Sequence, residues 1–123
     1  MDTEKINEVF DQQVTFADLG LRDSVLKGLE KAGFIHPTHI QSQLIRPMLE
    51  GRDLLGQAKT GTGKTAAFAL PLLHRCEKEP AVQAIVLAPT RELAIQIVHE
   101  INELGQFTPI RAIGITGGAS FDK

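Results

Sequence analysis

A glycine-rich stretch, "GQAKTGTGKT" from Gly56 to Thr65, has the residue types and spacing that bind nucleotide phosphates. The general pattern is G-x-x-x-x-G-K-[ST], and here Ala58 occupies its first position. That position ends a strand ahead of the curl, so a small residue fills it without affecting the phosphate chemistry. Backbone N–H groups of such a loop surround the phosphate. Lys64 would reach the β- and γ-phosphates, and the Thr65 hydroxyl would ligate Mg²⁺.

A phosphate loop must also lie between a strand and a helix. The apolar run "RDLLGQA", residues 52–58, predicts the strand, and residues 64–76 predict a helix whose positive end would face the anion. An ordinary glycine-rich turn is the alternative interpretation, and the satisfied context counts against it. We therefore predict a nucleotide-binding loop made of Ala58, Lys59, Thr60, Gly61, Thr62, Gly63, Lys64 and Thr65.

The elements around the loop alternate between strands and helices. Residues 81–90 and 109–116 are apolar enough to predict two further buried strands, and residues 91–105 between them have the spacing of an amphipathic helix. Ahead of the loop, residues 21–32 and 41–51 carry apolar side chains at helical spacing. The order strand–helix–strand–helix–strand predicts an α/β fold with a parallel sheet and right-handed crossovers.

Composition restricts the class of protein. The 123 residues suffice for one domain at most, and the net charge of −2 argues against attachment to nucleic acid by charge alone, although a local basic patch is compatible with it. The single cysteine, Cys76, forbids an internal disulfide and suits a reducing compartment. Residues 1–13 predict a flexible tail without a signal-peptide pattern, and no apolar run approaches the roughly 20 residues that cross a bilayer. We predict a cytoplasmic protein with no membrane partner; the sequence indicates no oligomeric state.

Motifs on both sides of the loop narrow the prediction. "GFIHPTHIQ" (33–41) precedes the loop, "APTRELAIQ" (88–96) follows it, and a glycine pair (117–118) follows the third predicted strand. With "AKTGTGKT", they closely resemble the N-terminal half of the first RecA-like domain of DEAD-box ATP-dependent RNA helicases. The resemblance runs from about Val14 to the last residue. It implies a P-loop NTPase fold, in which a RecA-like parallel sheet is flanked by helices, and it implies that this fold is truncated here. The Q-motif region would occupy residues 14–42. The incomplete ATP-binding domain would occupy residues 43–123.

The resemblance also implies a nucleotide site for ATP and Mg²⁺. In it the Gln41 amide would read the adenine edge, Phe34 would stack on the adenine, Phe16 would support that region, and Thr38 would help to hold the loop. Lys64 and Thr65 would be the catalytic residues, with Thr65 also at the metal. One departure is that His39 stands where the family usually has proline.

An RNA-binding surface is the second implication of the resemblance. The motif at the start of the helix at 91–105 would meet the RNA backbone, and the glycine pair would let a strand pass close to the main chain. Taken alone, these residues would be an ordinary charged first turn and an ordinary glycine turn. The residues assigned to RNA are Pro89, Thr90, Arg91, Glu92, Gly117 and Gly118.

The 123 residues contain no apolar strand that ends in Asp-Glu-Ala-Asp and no second RecA-like domain. We therefore expect an ATP-binding fragment of an RNA helicase that does not sustain hydrolysis alone. Its strand before the loop would lack neighbours, which predicts exposed apolar side chains and marginal stability. A non-catalytic RNA- or protein-binding truncation without nucleotide affinity is the rival hypothesis. Another phosphate-loop enzyme, such as a small-molecule kinase, would need a substrate lid and an acidic strand end, and the sequence has neither.

Overall fold

The structure, a computed structural model, describes residues 9–57, 63–117 and 119–120. Most of the predicted phosphate loop (Ala58, Lys59, Thr60, Gly61 and Thr62) and Gly118 of the predicted RNA surface lie outside the described residues, as does most of the predicted tail. The described helices are α1 (Asp23–Lys31), α2 (His39–Leu49), α3 (Lys64–Arg75) and α4 (Arg91–Leu104), preceded by a 3-10 turn at Ala17–Leu19. Two short strands follow, β1 (Ile115–Thr116) and β2 (Ala119–Ser120).

The four helices begin within two residues of the positions that apolar spacing predicts, since each has one face to bury. Two of them start with a threonine whose side chain accepts a backbone N–H from the first turn. Thr38 caps α2 in this way, and Thr90 caps α4 through the Leu93 amide at 3.1 Å. Helix α3 instead starts after Gly63, which has a left-handed backbone with φ of 81°.

A single apolar core joins the helices. It is built where α2 packs along α3 and α3 packs against α4, with the 3-10 turn and α1 closing the far side. Its fully buried large side chains include Val25, Leu29, Ile45, Leu70, Leu73 and Leu104. At one point the packing leaves no room for a side chain, because a Cβ on Gly28 of α1 would lie 1.9 Å from the carbonyl oxygen of Leu104.

The predicted parallel sheet is not formed among the described residues. Residues 52–57 and 81–88 contain no hydrogen-bonded strand, and of residues 109–116 only β1 is a strand. That strand pairs antiparallel with β2, Ile115 opposite Ser120 and Thr116 opposite Ala119. A strand requires a neighbour for its backbone N–H and C=O groups. Among the described residues no neighbouring strand pairs with the first two predicted strands. For the strand before the loop, the sequence predicted this lack of a neighbour.

The part of the predicted tail that the structure describes contacts the turn ahead of α2. Phe10 forms an isolated antiparallel bridge with Thr38, and the Asp11 amide donates a hydrogen bond to the Pro37 carbonyl at 2.8 Å. Residues 10 and 11 therefore lie against the Pro37 turn. Within the described ranges no helix has the length and apolar character needed to span a membrane.

Candidate functional site

The start of α2 is built around two buried polar residues. The Thr38 hydroxyl accepts from the Gln41 amide at 3.3 Å, and the Gln41 side-chain carbonyl accepts from the Thr38 amide at 2.9 Å. This reciprocal capping box satisfies two backbone donors that a helix start otherwise leaves free. Thr38 is 6% exposed and Gln41 2% exposed, so the box is shielded from solvent.

Gln41 also connects α2 to the predicted phosphate loop. Its Nε2 donates to the carbonyl of Gly63, the last residue before α3, at 3.1 Å. A Cβ on Gly63 would lie 2.3 Å from that Nε2 and 3.1 Å from the Thr38 hydroxyl oxygen. The structure thus brings together three predicted site residues from two motifs, and the contact requires glycine at position 63.

The Gln41 amide retains part of its hydrogen-bonding capacity. A side-chain amide has two N–H donors and two carbonyl lone pairs. One donor is used by the Gly63 carbonyl and one lone pair by the Thr38 amide. Among the residues that the structure describes, these two bonds leave one donor and one acceptor on the same planar group, which is the combination that an adenine edge requires.

Lys64 and Thr65 form the first turn of α3. The Lys64 side chain is exposed and Thr65 is half-buried, directly after the left-handed Gly63. Lys64 also borders a cavity of about 320 Å³ whose other walls come from α2, α3 and the segment before the loop. Because the amide groups of a helix start carry partial positive charge, an ammonium group placed there makes a site suited to anions.

Phe34, the predicted adenine-stacking residue, lies between α1 and α2. Its ring packs against the buried Phe16 ring with centroids 6.1 Å apart and planes tilted by 53°. Phe34 itself is half-buried, so part of its ring remains accessible. Phe16 therefore contacts Phe34 from the core side.

The described residues of the predicted RNA surface lie at the start of α4. Pro89, Thr90, Arg91 and Glu92 are all exposed there. Arg91 donates from Nη2 to the Gly117 carbonyl at 3.2 Å, so the structure joins the two motifs that are 26 residues apart in sequence. Thr90 caps the helix, and in the described ranges the Gly117 carbonyl takes one of the five N–H donors of the Arg91 guanidinium.

Two residues that hold backbone segments against helices were not predicted from the sequence. Asn102 of α4 accepts from the Ala112 amide at 2.7 Å and donates to the Ala112 carbonyl at 3.2 Å. His74 of α3 accepts at Nδ1 from the Arg22 amide at 3.0 Å. For Asn102 a signal existed, since asparagine is a poor residue for a helix interior and an unusual choice there without a partner.

Burial shifts the pKa of two side chains that lie outside the predicted nucleotide site and the predicted RNA surface. Desolvation, helped by the positive charge of Arg22, lowers the pKa of His74 below its ordinary value. Desolvation and the neighbouring Glu103 raise the pKa of Glu100 on α4. No cluster of three or more histidine, cysteine or acidic residues suited to a metal occurs in the described part of the chain.

Known proteins of one kind match this chain over most of its length. A family model for DEAD/DEAH box helicases matches residues 38–123. The chain is 49% identical over 109 residues to the DEAD-box ATP-dependent RNA helicase RhpA of Helicobacter pylori, an overlap that covers 89% of this chain and 22% of that relative. It is 48% identical over 110 residues to CshA of Bacillus cereus, covering 89% of this chain and 21% of that protein.

Solved structures give the same result for the fold. A DEAD box protein from Methanococcus jannaschii superposes with a TM-score of 0.76 at 38% identity over 85% of this chain and 29% of its own. S. cerevisiae Dbp5 bound to RNA and ADP BeF3 superposes with a TM-score of 0.75 at 43% identity, over 78% and 25% of the two chains. The predicted RecA-like fold class is therefore confirmed, although the described residues form no parallel ladder. The chain spans about a fifth of the length of the curated relatives it matches.

Proposed function

The chain belongs to the DEAD/DEAH box helicase family, and on this premise we propose that it supplies the adenine-nucleotide site and part of the RNA surface of an ATP-dependent RNA helicase. The whole protein would couple ATP binding and hydrolysis to the separation of RNA strands or the remodelling of RNA–protein complexes. The relatives at 48–49% identity are named ATP-dependent RNA helicases, which supports this assignment.

The contact between Gln41 and Gly63 carries the proposal. It places an amide that, within the described part of the chain, has one donor and one acceptor left directly beside Gly63, the residue before α3. An adenine edge needs one donor and one acceptor, and the phosphates of the same nucleotide need the loop that ends at Gly63. Phe34 would cover the adenine ring from the side opposite to the Phe16 contact.

We assign the phosphates and the metal to the first turn of α3. Lys64 would bind the β- and γ-phosphates, together with the loop residues Lys59, Thr60, Gly61 and Thr62. The Thr65 hydroxyl would be a ligand of Mg²⁺, which neutralises charge on the phosphates when it is bound. The exposed Lys64 ammonium at a helix start supports this assignment.

The RNA backbone would lie across the start of α4. Thr90 and Arg91 present a hydroxyl and a guanidinium there, and Arg91 already contacts Gly117. A guanidinium binds a phosphate through two parallel hydrogen bonds, while Gly117 and Gly118 allow a close approach to the main chain. This assignment rests on the grouping of the two motifs at one place.

ATP hydrolysis by these 123 residues alone is not expected. Phosphoryl transfer needs a carboxylate to hold Mg²⁺ through water and a residue that orients the attacking water. No segment of the 123 residues ends an apolar strand in such acids. We therefore expect nucleotide binding without sustained turnover.

The lone Cys76 suits a reducing compartment, and we assign the protein to the cytoplasm.

A second candidate is an RNA- or protein-binding module without nucleotide affinity. The burial of Gln41 favours it, since an amide that is 2% exposed and already used twice is an unusual ligand for a nucleotide. Under this hypothesis the Gln41 contact only ties α2 to α3, and Lys64 is a surface lysine.

Titration with a fluorescent ADP analogue separates the two candidates. Saturable binding that is lost in Lys64→Ala and Gln41→Ala, but kept in Gln43→Ala, supports the nucleotide site. Gln43 is the matched control because it is an exposed glutamine on the same helix. Absence of binding in the wild-type chain, or equal binding in all four proteins, contradicts the proposal and leaves the second candidate.

A further inference from the structure

The segment between α4 and the glycine pair is attached to α4 at two separated points. Asn102 holds both backbone groups of Ala112, at 2.7 Å and 3.2 Å. Arg91 holds the carbonyl of Gly117, at 3.2 Å.

The distance between the two contacts along α4 is similar to the distance between them along the segment. Arg91 and Asn102 are separated by about three helical turns, which puts them on the same face of α4 about 16 Å apart. The five residues from Ala112 to Gly117 would cover a similar length of about 16 Å in an extended conformation. The segment therefore runs back along α4 in the opposite direction, and its register is set by the two side chains together.

Asn102 sets this register more firmly than Arg91. Its amide contacts one residue with a donor and an acceptor at once, in the way that a neighbouring strand would, so a shift by one residue would break both bonds. It is part-buried, whereas the Arg91 contact is exposed. A long exposed arginine can follow a displaced carbonyl, while a short asparagine cannot.

We propose that Asn102 is a positioning residue for the RNA surface. By fixing Ala112 on α4, it fixes how far along the helix the chain reaches, and hence where Gly117 meets Arg91. The RNA part of this inference rests on the proposed function. The positional part concerns only the contacts of Asn102, Ala112 and Gly117.

The test compares Asn102→Ala with the wild-type 123-residue chain and with His99→Ala. His99 is the matched control, since it is exposed on the same helix one turn away. Hydrogen exchange at the Ala112 amide and the Gly117 amide resonance report the position of the segment. Binding of a single-stranded RNA oligonucleotide and of a fluorescent ADP analogue reports the two proposed surfaces.

In Asn102→Ala we expect faster exchange at Ala112, a displaced Gly117 resonance and RNA binding weakened roughly three- to tenfold, the effect of one or two hydrogen bonds. Nucleotide affinity should stay at the wild-type value, and His99→Ala should behave like the wild type in every measurement. A residue that merely stabilises the fold would weaken both ligands in parallel, so a parallel loss overturns the proposal. Unchanged exchange at Ala112 overturns it as well.

Asn102→Asp provides a second variant of the same size. It keeps an acceptor for the Ala112 amide but places an oxygen against the Ala112 carbonyl. We expect partial protection of the Ala112 amide, a shifted Gly117 resonance and weaker RNA binding. Wild-type behaviour in this variant contradicts the role of the Asn102 donor. If the wild-type chain binds no RNA, the proposed RNA surface fails, whereas the exchange data still decide whether Asn102 positions Gly117.

Discussion

At the scale of single residues, Gly63 combines two demands that can be separated experimentally. Its φ of 81° is costly for any residue with a Cβ, by about 1–2 kcal/mol, and its Cβ would also collide with Gln41 at 2.3 Å. Gly33 has nearly the same backbone, with φ of 85°, but no atom lies within 4 Å of a Cβ placed there. The pair therefore distinguishes backbone strain from steric conflict with the site.

We expect Gly63→Ala to lower the free energy of unfolding by more than Gly33→Ala does. Gly33→Ala should cost about 1 kcal/mol, and Gly63→Ala about 2–4 kcal/mol, because the Gln41 amide must also move. Only Gly63→Ala should abolish binding of the ADP analogue. Urea unfolding followed by circular dichroism measures the first difference, and fluorescence titration the second. Equal costs at the two positions would show that the Gln41 contact is not maintained in solution.

His74 makes stability depend on pH. Its Nδ1 accepts from the Arg22 amide at 3.0 Å, which requires an unprotonated nitrogen, and burial together with the Arg22 charge lowers the pKa of His74 in the folded protein. The unfolded chain therefore binds a proton more readily than the folded one. The contribution of His74 is present above its ordinary pKa of 6.5 and is lost as the pH falls from there through the folded pKa.

We expect the urea midpoint of the wild-type chain to fall between pH 7.5 and pH 5.5, and to fall less in His74→Asn. Asparagine retains an acceptor oxygen but has no proton to gain in this range. Glu77, whose carboxylate lies 3.7 Å from Arg22, offsets part of the positive charge near His74. His99→Asn is the control, because it makes the same replacement at an exposed histidine of α4. An identical pH dependence in His74→Asn would assign it to other groups.

At the scale of elements, α1 and α4 approach each other so closely that only glycine fits between them. A Cβ on Gly28 would lie 1.9 Å from the Leu104 carbonyl oxygen and 2.9 Å from the Leu104 carbonyl carbon. This neighbour is backbone near the end of a helix, which yields less easily than a side chain. The two helices would have to separate to admit a methyl group.

We expect Gly28→Ala to destabilise the chain by about 1–3 kcal/mol, the usual cost of overpacking. A loss of stability would be informative, because alanine is otherwise favoured over glycine inside a helix by about 1 kcal/mol. Lys27→Ala is the control, because Lys27 is an exposed neighbour on the same helix. Thermal unfolding of the three proteins measures the effect. Stabilisation by Gly28→Ala would rule out the close contact between α1 and α4.

The sequence predicted the helices much better than the strands. Helices α3 and α4 start at the predicted residues 64 and 91, since their apolar spacing and hydrogen bonds are local. The predicted strands at 52–58 and 81–90 depend on neighbours that no local pattern specifies, and none are present among the described residues. Thr38, Gln41 and Gly63 were predicted to form one site because they belong to motifs. The contact between Asn102 and Ala112 was not predicted, because it joins a helix to a distant segment through a single side-chain amide.

At the scale of the whole molecule, the main feature is the apolar surface of the two segments predicted as strands at 52–58 and 81–90. Leu55 is 96% exposed and Leu87 is 90% exposed, and both lie in runs where no backbone ladder is formed. Val82 and Ile85 are further exposed apolar side chains of the second segment. Exposed apolar runs with unpaired backbone groups favour association between chains.

We therefore expect the 123-residue chain to associate in a concentration-dependent way, so that its unfolding transition broadens as the protein concentration rises. Light scattering and analytical ultracentrifugation between 1 and 100 μM, roughly the range in which exposed edges aggregate, measure the first property. Leu55→Lys and Leu87→Lys should raise solubility, because a charge on an exposed apolar run opposes pairing with a second chain. Gln43→Lys is the control, since it adds the same charge at an exposed polar position of α2. If Gln43→Lys raises solubility equally, net charge and not the apolar segments governs association. A soluble monomer with a sharp cooperative melt at 100 μM would show that these segments do not limit the stability of the chain.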